Sequence, residues 1–409
     1  MAPFPVQLSP IFGHWGAYLV YAVIGFAFGY VLEIAGFGNS KKLAAQFYFK
    51  DMTVLKVMFG AIIVAMVLIF GATAVGLLDY NLIWVNPTYL WPGIVGGLIM
   101  GFGFIIGGFC PGTSLVGAAT GKLDGVFFVL GVLFGIFLFG ETVDSFAIFW
   151  NSSYMGRYTL PELFGLPTGV VVLGVVLMAL FMFWGAEKLE QKFGGVDAKA
   201  APKWRYAAAV AIALGGIVLI FLGQPTATDR WAKLEAEKGQ LLADRAVQIH
   251  PGELLSLIED TNIKTVMLDV RNESDYNLFH ILDAQHVPLA DLPNVVDDLH
   301  FEPANAVFIL MSNDEAAATE AWKYLVAEAV PNVYILEGGI NNWIALFGDD
   351  NLTKGFNAGA GNDELCYIFD SAIGDRYPAS EPDPEAYELE FTPKVQLELK
   401  RAPTSGGCG

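Results

Sequence analysis

The stretch GGFCPGTSLVGAATGK, residues 107–122, places Cys110 and Pro111 between glycines in the middle of a long apolar run. Glycine commonly ends a helix, and proline is tolerated in the first turn of the next one. The pattern therefore predicts that one helix ends near Gly108 and that a second begins at Pro111. If this run crosses a membrane, the irregular backbone needs protein or a water-filled cavity around it, so we expect it to line a path.

Composition divides the chain into two parts. Only 16% of the 409 residues are charged, whereas soluble proteins average about 25%. Residues 1–223 contain 11 Lys and Arg against 10 Asp and Glu, while residues 224–409 contain 12 against 32. The first part is therefore apolar and nearly neutral, and the second is an acidic soluble part. Such an acidic surface argues against nucleic acid as a partner.

Six stretches of the first part are long enough to cross a bilayer, which takes about 20 apolar residues. They are residues 15–36, 54–78, 88–109, 124–147, 167–186 and 206–223. We therefore predict an α-helical polytopic membrane domain over residues 1–223. The first stretch is not expected to be a cleaved signal peptide, because the first basic residue is Lys41.

Basic residues predict the orientation of these spans, since they favour the cytoplasmic side. Residues 1–15 and 79–87 contain none, whereas basic residues follow the first span and fill the connection after the fifth: Lys41, Lys42, Lys50, Lys56, Lys188, Lys192, Lys199, Lys203 and Arg205. The N-terminus and the acidic part are then predicted on the periplasmic side of an inner membrane. An odd number of crossings would place the acidic part in the cytoplasm instead.

An internal repeat relates the break to an earlier segment at an offset of 72 residues. The sequence GFAFGYVLEIAGFGNSKKL, residues 25–43, aligns its glycines, one Phe and its last Leu with GLIMGFGFIIGGFCPGTSL, residues 97–115. With one residue of slippage, Asp51 also aligns with Asp124. We predict two parallel repeats near residues 15–80 and 88–150. The alternative is that the glycines serve only close helix packing.

The two breaks offer candidate binding residues at the start of a helix. In the first break Gly38 aligns with Cys110, and Asn39 or Ser40 is a candidate N-cap. In the second, the helix start offers Pro111, Thr113 and Ser114. Helix starts expose N–H groups and a positive dipole end, so two facing starts would attract a small anion.

Cys110 and Glu33 are the two side chains with further chemistry near the breaks. Cys110 would offer a weak S–H donor or, as a thiolate, a nucleophile; alternatively it is a small buried apolar residue. Glu33 precedes the first break, and an acid within a membrane is a functional candidate because its burial is costly. It could instead lie at the interface or pair with Lys41 or Lys42.

The duplicated membrane part, above all its GFCPGTS segment, resembles the YeeE/YedE family of membrane proteins. That family includes thiosulfate uptake transporters and relatives assigned to other sulfur or selenium compounds. The resemblance implies transport of a small sulfur-containing anion, thiosulfate, along a central path lined by cysteines. Only Cys110 falls on such a position here, because Gly38 has no thiol.

The acidic part contains TVMLDV, AVFIL and NVYIL, which predict short buried strands between helices and so an α/β layer. Together with EGGINNW, these segments resemble a single rhodanese-like domain over residues 247–346, and the resemblance implies an α/β fold with a central parallel sheet. The resemblance implies that a sulfur-carrying cysteine would open the loop after AVFIL, where Ser312 stands. A serine cannot match a low-pKa thiolate, so we predict no sulfurtransferase activity. Asp269 and Arg271 are expected to stabilise the fold.

The remaining segments are a predicted linker, residues 224–246, and an acidic extension, residues 347–409, with Cys366 and Cys408. In an oxidising exterior these cysteines could form a disulfide; alternatively one is a mobile sulfur carrier, or Cys408 is incidental. The five histidines lack paired ligand spacing, and there is no phosphate-binding loop. We therefore expect no metal, no ATP and no other cofactor.

Two functions remain open. The first is a transporter of a small sulfur-containing anion with a non-catalytic accessory domain. The second is a membrane-anchored binding or scaffold protein of a sulfur-oxidising or respiratory complex. An active sulfurtransferase that uses Cys366 or Cys408 is a third. The expected partners are the anion, membrane lipid, a protein of sulfur metabolism and a second copy of the chain.

Overall fold

The computed structural model describes residues 3–6, 8–195, 203–348, 355–357, 359–387 and 389–398. The chain divides into two compact units, one over Ala2–Gln224 and one over Pro225–Pro403. We call them the membrane unit and the soluble unit.

The membrane unit is helical throughout its regular structure. Its helices are α1 (Leu8–Ile34), α2 (Ser40–Ala45), α3 (Thr53–Ala74), α4 (Leu90–Gly107), α5 (Pro111–Ala119), α6 (Leu123–Thr142), α7 (Ala147–Trp150), α8 (Leu160–Phe164), α9 (Thr168–Leu189) and α10 (Trp204–Leu222). Within the described ranges, six helical stretches are long and apolar enough to cross a membrane: Leu8–Ile34, Thr53–Ala74, Leu90–Ala119, Leu123–Trp150, Thr168–Gly194 and Trp204–Leu222. The polytopic helical part predicted from the sequence is therefore confirmed.

Helices α3, α9 and α10 pack around a small apolar cluster. Ile63, Val176 and Leu219 are its central members, each at most 2% exposed. The approach of α9 to α10 requires glycine at position 169, because a Cβ there would lie 2.7 Å from the Leu219 carbonyl oxygen. Close backbone contact through small residues is the usual way for membrane helices to associate.

The soluble unit is an α/β domain. Its elements are α11 (Ala227–Ala243), β1 (Gln248–Ile249), α12 (Pro251–Glu259), β2 (Lys264–Asp269), α13 (Glu273–Leu278), β3 (Gln285–His286), α14 (Leu292–His300), β4 (Ala306–Met311), α15 (Ala316–Ala327), β5 (Val333–Leu336), α16 (Gly339–Phe347), β6 (Gly355–Phe356) and β7 (Tyr367–Ile368). Five strands form a parallel sheet in the order β1-β5-β4-β2-β3. Because the middle strand β4 is buried at every position, helices cover both faces of the sheet. The predicted α/β fold is confirmed.

Segments on either side of this domain also pack against it. The predicted linker contains α11, where Arg230 donates to the carbonyl oxygen of Ala327 at 3.0 Å. From the acidic extension, the carbonyl of Ala379 accepts from the indole N–H of buried Trp343 at 2.7 Å. The backbone N–H of Lys394 donates to Glu253 at 2.7 Å. Residues on both sides of 247–346 therefore contribute to the packing of the soluble unit.

Candidate functional site

The two predicted breaks have the same local structure. After α1, Gly36 takes a left-handed conformation with φ 82°, and after α4, Gly108 takes one with φ 72°. The next residues, Phe37 and Phe109, are both fully buried in one cluster with Leu43. The glycine and phenylalanine matched by the 72-residue offset therefore have the same roles in both repeats. The glycine ends a helix, and the phenylalanine is buried beside the chain that follows.

The start of the next helix differs between the breaks by one residue. Asn39 is the N-cap of α2, where its Oδ1 accepts from the backbone N–H groups of Lys41 and Lys42 at 3.1 and 3.4 Å. Cys110 is the N-cap of α5. By capping role, Asn39 and not Gly38 corresponds to Cys110, because the first break has one more residue between its left-handed glycine and its N-cap.

The thiol of Cys110 takes part in a capping box with Thr113. The Sγ accepts from the backbone N–H of Thr113 at 3.4 Å, and the Thr113 hydroxyl accepts from the backbone N–H of Cys110 at 2.9 Å. Thr113 and Ser114 are buried, and the Ser114 hydroxyl donates to the Pro111 carbonyl at 2.7 Å. Cys110 and Pro111 are half-buried. Of the residues predicted in the second break, these two therefore remain within reach of a small molecule.

The two breaks lie against each other. A Cβ on Gly108 would come within 3.1 Å of both the Cβ and the carbonyl oxygen of Ser40. The Ser40 hydroxyl donates to the carboxylate of Asp124, at the start of α6, at 2.6 Å. The structure thus joins the first break to two elements of the second repeat.

Glu33 pairs with a residue that sequence reasoning missed. The Nζ of Lys122 lies 3.5 Å from its Oε1, and both side chains are about two-fifths exposed, at 38% and 41%. Lys42 instead donates to the carbonyl oxygen of Ala35 at 2.9 Å. A Cβ on Gly38 would lie 2.4 Å from Glu33 Oε2 and 3.0 Å from Lys122 Nζ. Gly38 therefore leaves room for this ion pair beside the first break.

A buried acid, Glu190, was also missed. It is 7% exposed, accepts from the backbone N–H of Met52 at 2.6 Å, and pairs with Lys56. This interaction ties the end of the fifth span to the start of the second. The only sequence signal was an acid at the end of an apolar run.

In the soluble unit, Ser312 directly follows β4 and is fully buried. Its hydroxyl accepts from the backbone N–H of Ala318 at 3.2 Å, in the first turn of α15. Gly339 lies against the same loop with φ 59°, and a Cβ there would be 2.1 Å from the Asp314 carbonyl oxygen. The double glycine of the EGGINNW motif therefore allows α16 to begin against this loop.

Asp269 and Arg271, for which a salt bridge or backbone contacts were expected, form a buried salt bridge. The Arg271 Nη2 lies 2.6 Å from the Asp269 Oδ2. Arg271 also donates to Asn313 Oδ1 at 3.2 Å and to the carbonyl oxygen of Phe279 at 2.7 Å. The pair therefore braces the loop that Ser312 begins.

The extension brings Asp363 and Cys366 to this loop, which sequence reasoning did not foresee. The Asp363 carboxylate accepts from the backbone N–H groups of Asp314 and Ala317 at 2.7 and 2.6 Å. Burial raises the pKa of the Cys366 thiol, and the carboxylates of Asp314 and Glu364 raise it further.

Cys408 lies outside the described residues, so its disulfide with Cys366 stays a prediction. No group of three metal-ligating His, Cys, Asp or Glu side chains occurs within the described ranges.

Comparison with known proteins finds relatives of both units. A family model described as sulphur transport matches residues 35–243, and a rhodanese-like domain model matches residues 250–346. The chain is 27% identical over 172 residues to the probable transporter YedE of Salmonella typhimurium, across 41% of this chain and 40% of that relative. It is 32% identical over 78 residues to the thiosulfate sulfurtransferase GlpE of Pseudomonas fluorescens, across 19% of this chain and 69% of that relative.

The chain thus spans less than half the length of the YedE relative. No solved structure matches it significantly. The sulphur transport model nevertheless covers more than half of the 409 residues. The chain therefore belongs to the sulphur transport family of multi-pass membrane proteins and carries a rhodanese-like domain after its membrane unit.

Proposed function

We propose that this protein moves a small sulfur-containing anion, thiosulfate, inward across the cell inner membrane. The observation that carries the proposal is the contact between the two helix breaks, where Ser40 lies against Gly108 and the half-buried Cys110 begins α5. A membrane anchor would need no pair of matched breaks. The path runs past Cys110 and past the first break at Gly38, Asn39 and Ser40.

The chemistry of these residues suits thiosulfate. A dianion in a low-dielectric setting needs positive charge and hydrogen-bond donors around it. Lys122 places an ammonium group beside Gly38, and the Cys110 S–H offers a weak donor to a soft terminal sulfur. Sulfate has the same charge but no such sulfur, so Cys110 is the residue that would distinguish the two ions.

The length of α4 supports a position of the second break near one face of the bilayer. Helix α4 has 18 residues before Gly108, which corresponds to about 27 Å of rise against a hydrocarbon core of roughly 30 Å. Lys41, Lys42 and Lys122 lie close to the breaks in sequence, so this face is the cytoplasmic one by the basic-residue rule. The breaks then form the inner mouth of the path.

Uptake by the full chain in proteoliposomes tests the proposal. Radiolabelled thiosulfate should accumulate above the level of protein-free liposomes, and unlabelled thiosulfate should compete more strongly than unlabelled sulfate. Equal accumulation in protein-free liposomes would refute transport. Equal competition by sulfate would retain transport but remove the sulfur-specific role of Cys110.

The side of the soluble unit follows from the same orientation. Basic residues between positions 188 and 205 hold that connection in the cytoplasm, and α10 carries the chain outward. Protease added to intact spheroplasts should then cleave the soluble unit. Cleavage only in inverted vesicles would place it in the cytoplasm and reverse the proposed orientation.

A second function is favoured by the closed loop of the rhodanese-like domain. Ser312 is buried and Asp363 fills the adjacent N–H groups, which suits a docking module better than a sulfurtransferase. In this alternative the protein is a membrane-anchored scaffold for a sulfur-oxidising or respiratory partner. Uptake by the purified chain alone separates the two functions, because a scaffold protein would transport no thiosulfate by itself.

A further inference from the structure

The loop between β4 and α15 holds a carboxylate from a distant segment of the same chain. Asp363 Oδ1 accepts from the backbone N–H of Asp314 at 2.7 Å, and its Oδ2 accepts from the backbone N–H of Ala317 at 2.6 Å. Both distances are at the short end for N–H···O bonds, as expected for a charged acceptor. One carboxylate thus satisfies two loop donors at once.

The N–H of Ala317 lies in the first turn of α15, and the N–H of Asp314 lies in the loop just before that helix. The N–H groups in the first turn of a helix have no partner within the helix, and they attract negative charge. In α15, a helix of 12 residues, the N–H of Ala318 is taken by the Ser312 hydroxyl. The carboxylate of Asp363 therefore occupies the place beside Ser312 where an incoming anion would have to bind.

The backbone of Asp363 is fixed as well. Its N–H donates to Asp314 Oδ2 at 3.2 Å, and its carbonyl accepts from the Asn313 side chain at 3.0 Å. Asp363 has φ 60°, a left-handed conformation that is uncommon for a residue other than glycine. The hydrogen bonds of its N–H and carbonyl groups hold Asp363 in this conformation.

Asn341 holds the following residues against the same loop. Its Nδ2 donates to Asp314 Oδ1 at 2.8 Å and to the Glu364 carbonyl at 2.9 Å. Its Oδ1 accepts from the backbone N–H of Cys366 at 2.9 Å. Residues 363–366 are thus attached at several points, and the carboxylate does not rely on its own two bonds alone.

Tethering favours this carboxylate over a free anion, because the arginines near the loop are already paired. Arg271 pairs with Asp269, and Arg245 pairs with Glu315 and Glu337. Asp314 and Glu364 add negative charge nearby. A free dianion would meet this negative charge, and it would also compete with a group whose effective concentration is on the order of millimolar or more.

We propose that Asp363 is an autoinhibitory residue that keeps small sulfur oxyanions out of the loop that Ser312 begins. The C-terminal segment would then act as an internal competitor, and only its release would open the loop. The proposal does not depend on transport, since it concerns the soluble unit alone. It predicts that removing one carboxylate creates a binding site for thiosulfate that the unaltered protein lacks.

Hydrogen exchange of the full chain in detergent, read by mass spectrometry on peptides that cover residues 312–320, tests this directly. In Asp363→Ala, the loop amides should exchange at least about tenfold faster, because their acceptor is lost. Added thiosulfate should then slow the exchange again. In the unaltered protein and in Glu364→Gln, a control that removes the neighbouring charge, exchange should be slow and thiosulfate should not change it.

Three outcomes would overturn the proposal. Thiosulfate could slow loop exchange in the unaltered protein as much as in the variant, in which case Asp363 excludes nothing. Thiosulfate could have no effect on loop exchange in either Asp363→Ala or Asp363→Asn, in which case the loop is not an anion site. Loop exchange could also be unchanged in Asp363→Ala. If Asp363→Ala loses its fold, seen as fast exchange in β2 and β4, the nearly isosteric Asp363→Asn decides.

Discussion

The start of α5 at Cys110 and the loop before α15 at Ser312 use similar side chains with opposite results. Each has a small –SH or –OH side chain that accepts from a first-turn N–H, Thr113 in one case and Ala318 in the other. At Cys110 the partner lies three residues away and the thiol stays half-buried. At Ser312 the hydroxyl is fully buried and a carboxylate from residue 363 fills the neighbouring donors. The side chain at the first position is therefore half-buried, whereas the second is enclosed by the chain itself.

The two units also differ in how far their large apolar side chains are buried. In the soluble unit Trp322 and Trp343 are at most 2% exposed, whereas Trp15 and Trp204 of the membrane unit are 84% and 71% exposed. Water drives apolar side chains into the core of the soluble unit. Lipid provides no such drive, so large apolar residues can remain on the surface of the membrane unit. The soluble unit is therefore the one in which single packing changes should be costly.

The largest expected effect is on stability and sharpens this contrast. Trp343→Ala removes a fully buried ring and its bond to the Ala379 carbonyl, and should lower the free energy of unfolding of the soluble unit by about 3–5 kcal/mol. Trp204→Ala should change the free energy of unfolding of the membrane unit, in which it lies, by less than about 0.5 kcal/mol. Pulse proteolysis in urea on the full chain in detergent measures both. Equal losses would show that the two tryptophans do not differ as their burial indicates.

Cys110→Ala should lower thiosulfate uptake at least about tenfold, the size of effect expected when a hydrogen bond to a charged ligand is lost. Cys366→Ala is the matched control, since its thiol lies in the soluble unit, and should leave uptake unchanged. Initial rates in proteoliposomes provide the comparison. Unchanged uptake in Cys110→Ala would reduce this cysteine to a helix cap and remove the difference between the two helix starts.

The ion pair beside the first break should have a smaller effect on uptake. Lys122→Met removes the ammonium group near Gly38 and should slow thiosulfate uptake by about three- to tenfold, because the pair is partly exposed and partly screened. Lys122→Arg keeps the charge and should restore most of the rate. Lys50→Met, on the same predicted side, controls for the loss of a basic residue. A rate equal to the unaltered protein in Lys122→Met would exclude Lys122 from the path.

The alkylation of Cys366 should depend on pH in a way that reports its raised pKa. Because the pKa of Cys366 is raised by burial and by the carboxylates of Asp314 and Glu364, less thiolate is present at a given pH. Alkylation of Cys366 in the folded protein should therefore reach its half-maximal rate at a higher pH than in the urea-denatured protein. Mass spectrometry of the alkylated peptide follows the reaction. A lower half-maximal pH in the folded state would revive Cys366 as a sulfur carrier.

The smallest expected effect is none at all. The protein should form no thiocyanate from thiosulfate and cyanide, and Ser312→Ala should leave that result unchanged, because a buried serine beside a filled loop has neither nucleophile nor substrate site. Turnover by the unaltered protein would contradict the closed state of the soluble unit. Cys366→Ala would then show whether that thiol is responsible.

The sequence by itself determined the features that depend on neighbouring residues. Apolar runs of sufficient length predicted the six spans, since a helix satisfies its own backbone groups in lipid. Glycine and proline around Cys110 predicted where one helix ends and the next begins. Alternation of buried strands and helices predicted an α/β layer, and the resemblance to rhodanese-like domains implied its parallel sheet.

Only the tertiary structure decided the contacts between distant residues. Glu33 pairs with Lys122 across 89 positions, Ser40 meets Asp124 across 84, and Asp363 closes a loop that begins 51 residues earlier at Ser312. Even the correspondence of Asn39 with Cys110 depended on the capping bonds, since the offset of 72 had matched Gly38 instead. A charged or polar side chain has many possible partners in a sequence. The one it takes is decided when packing of the chain brings that partner within hydrogen-bond or ion-pair distance.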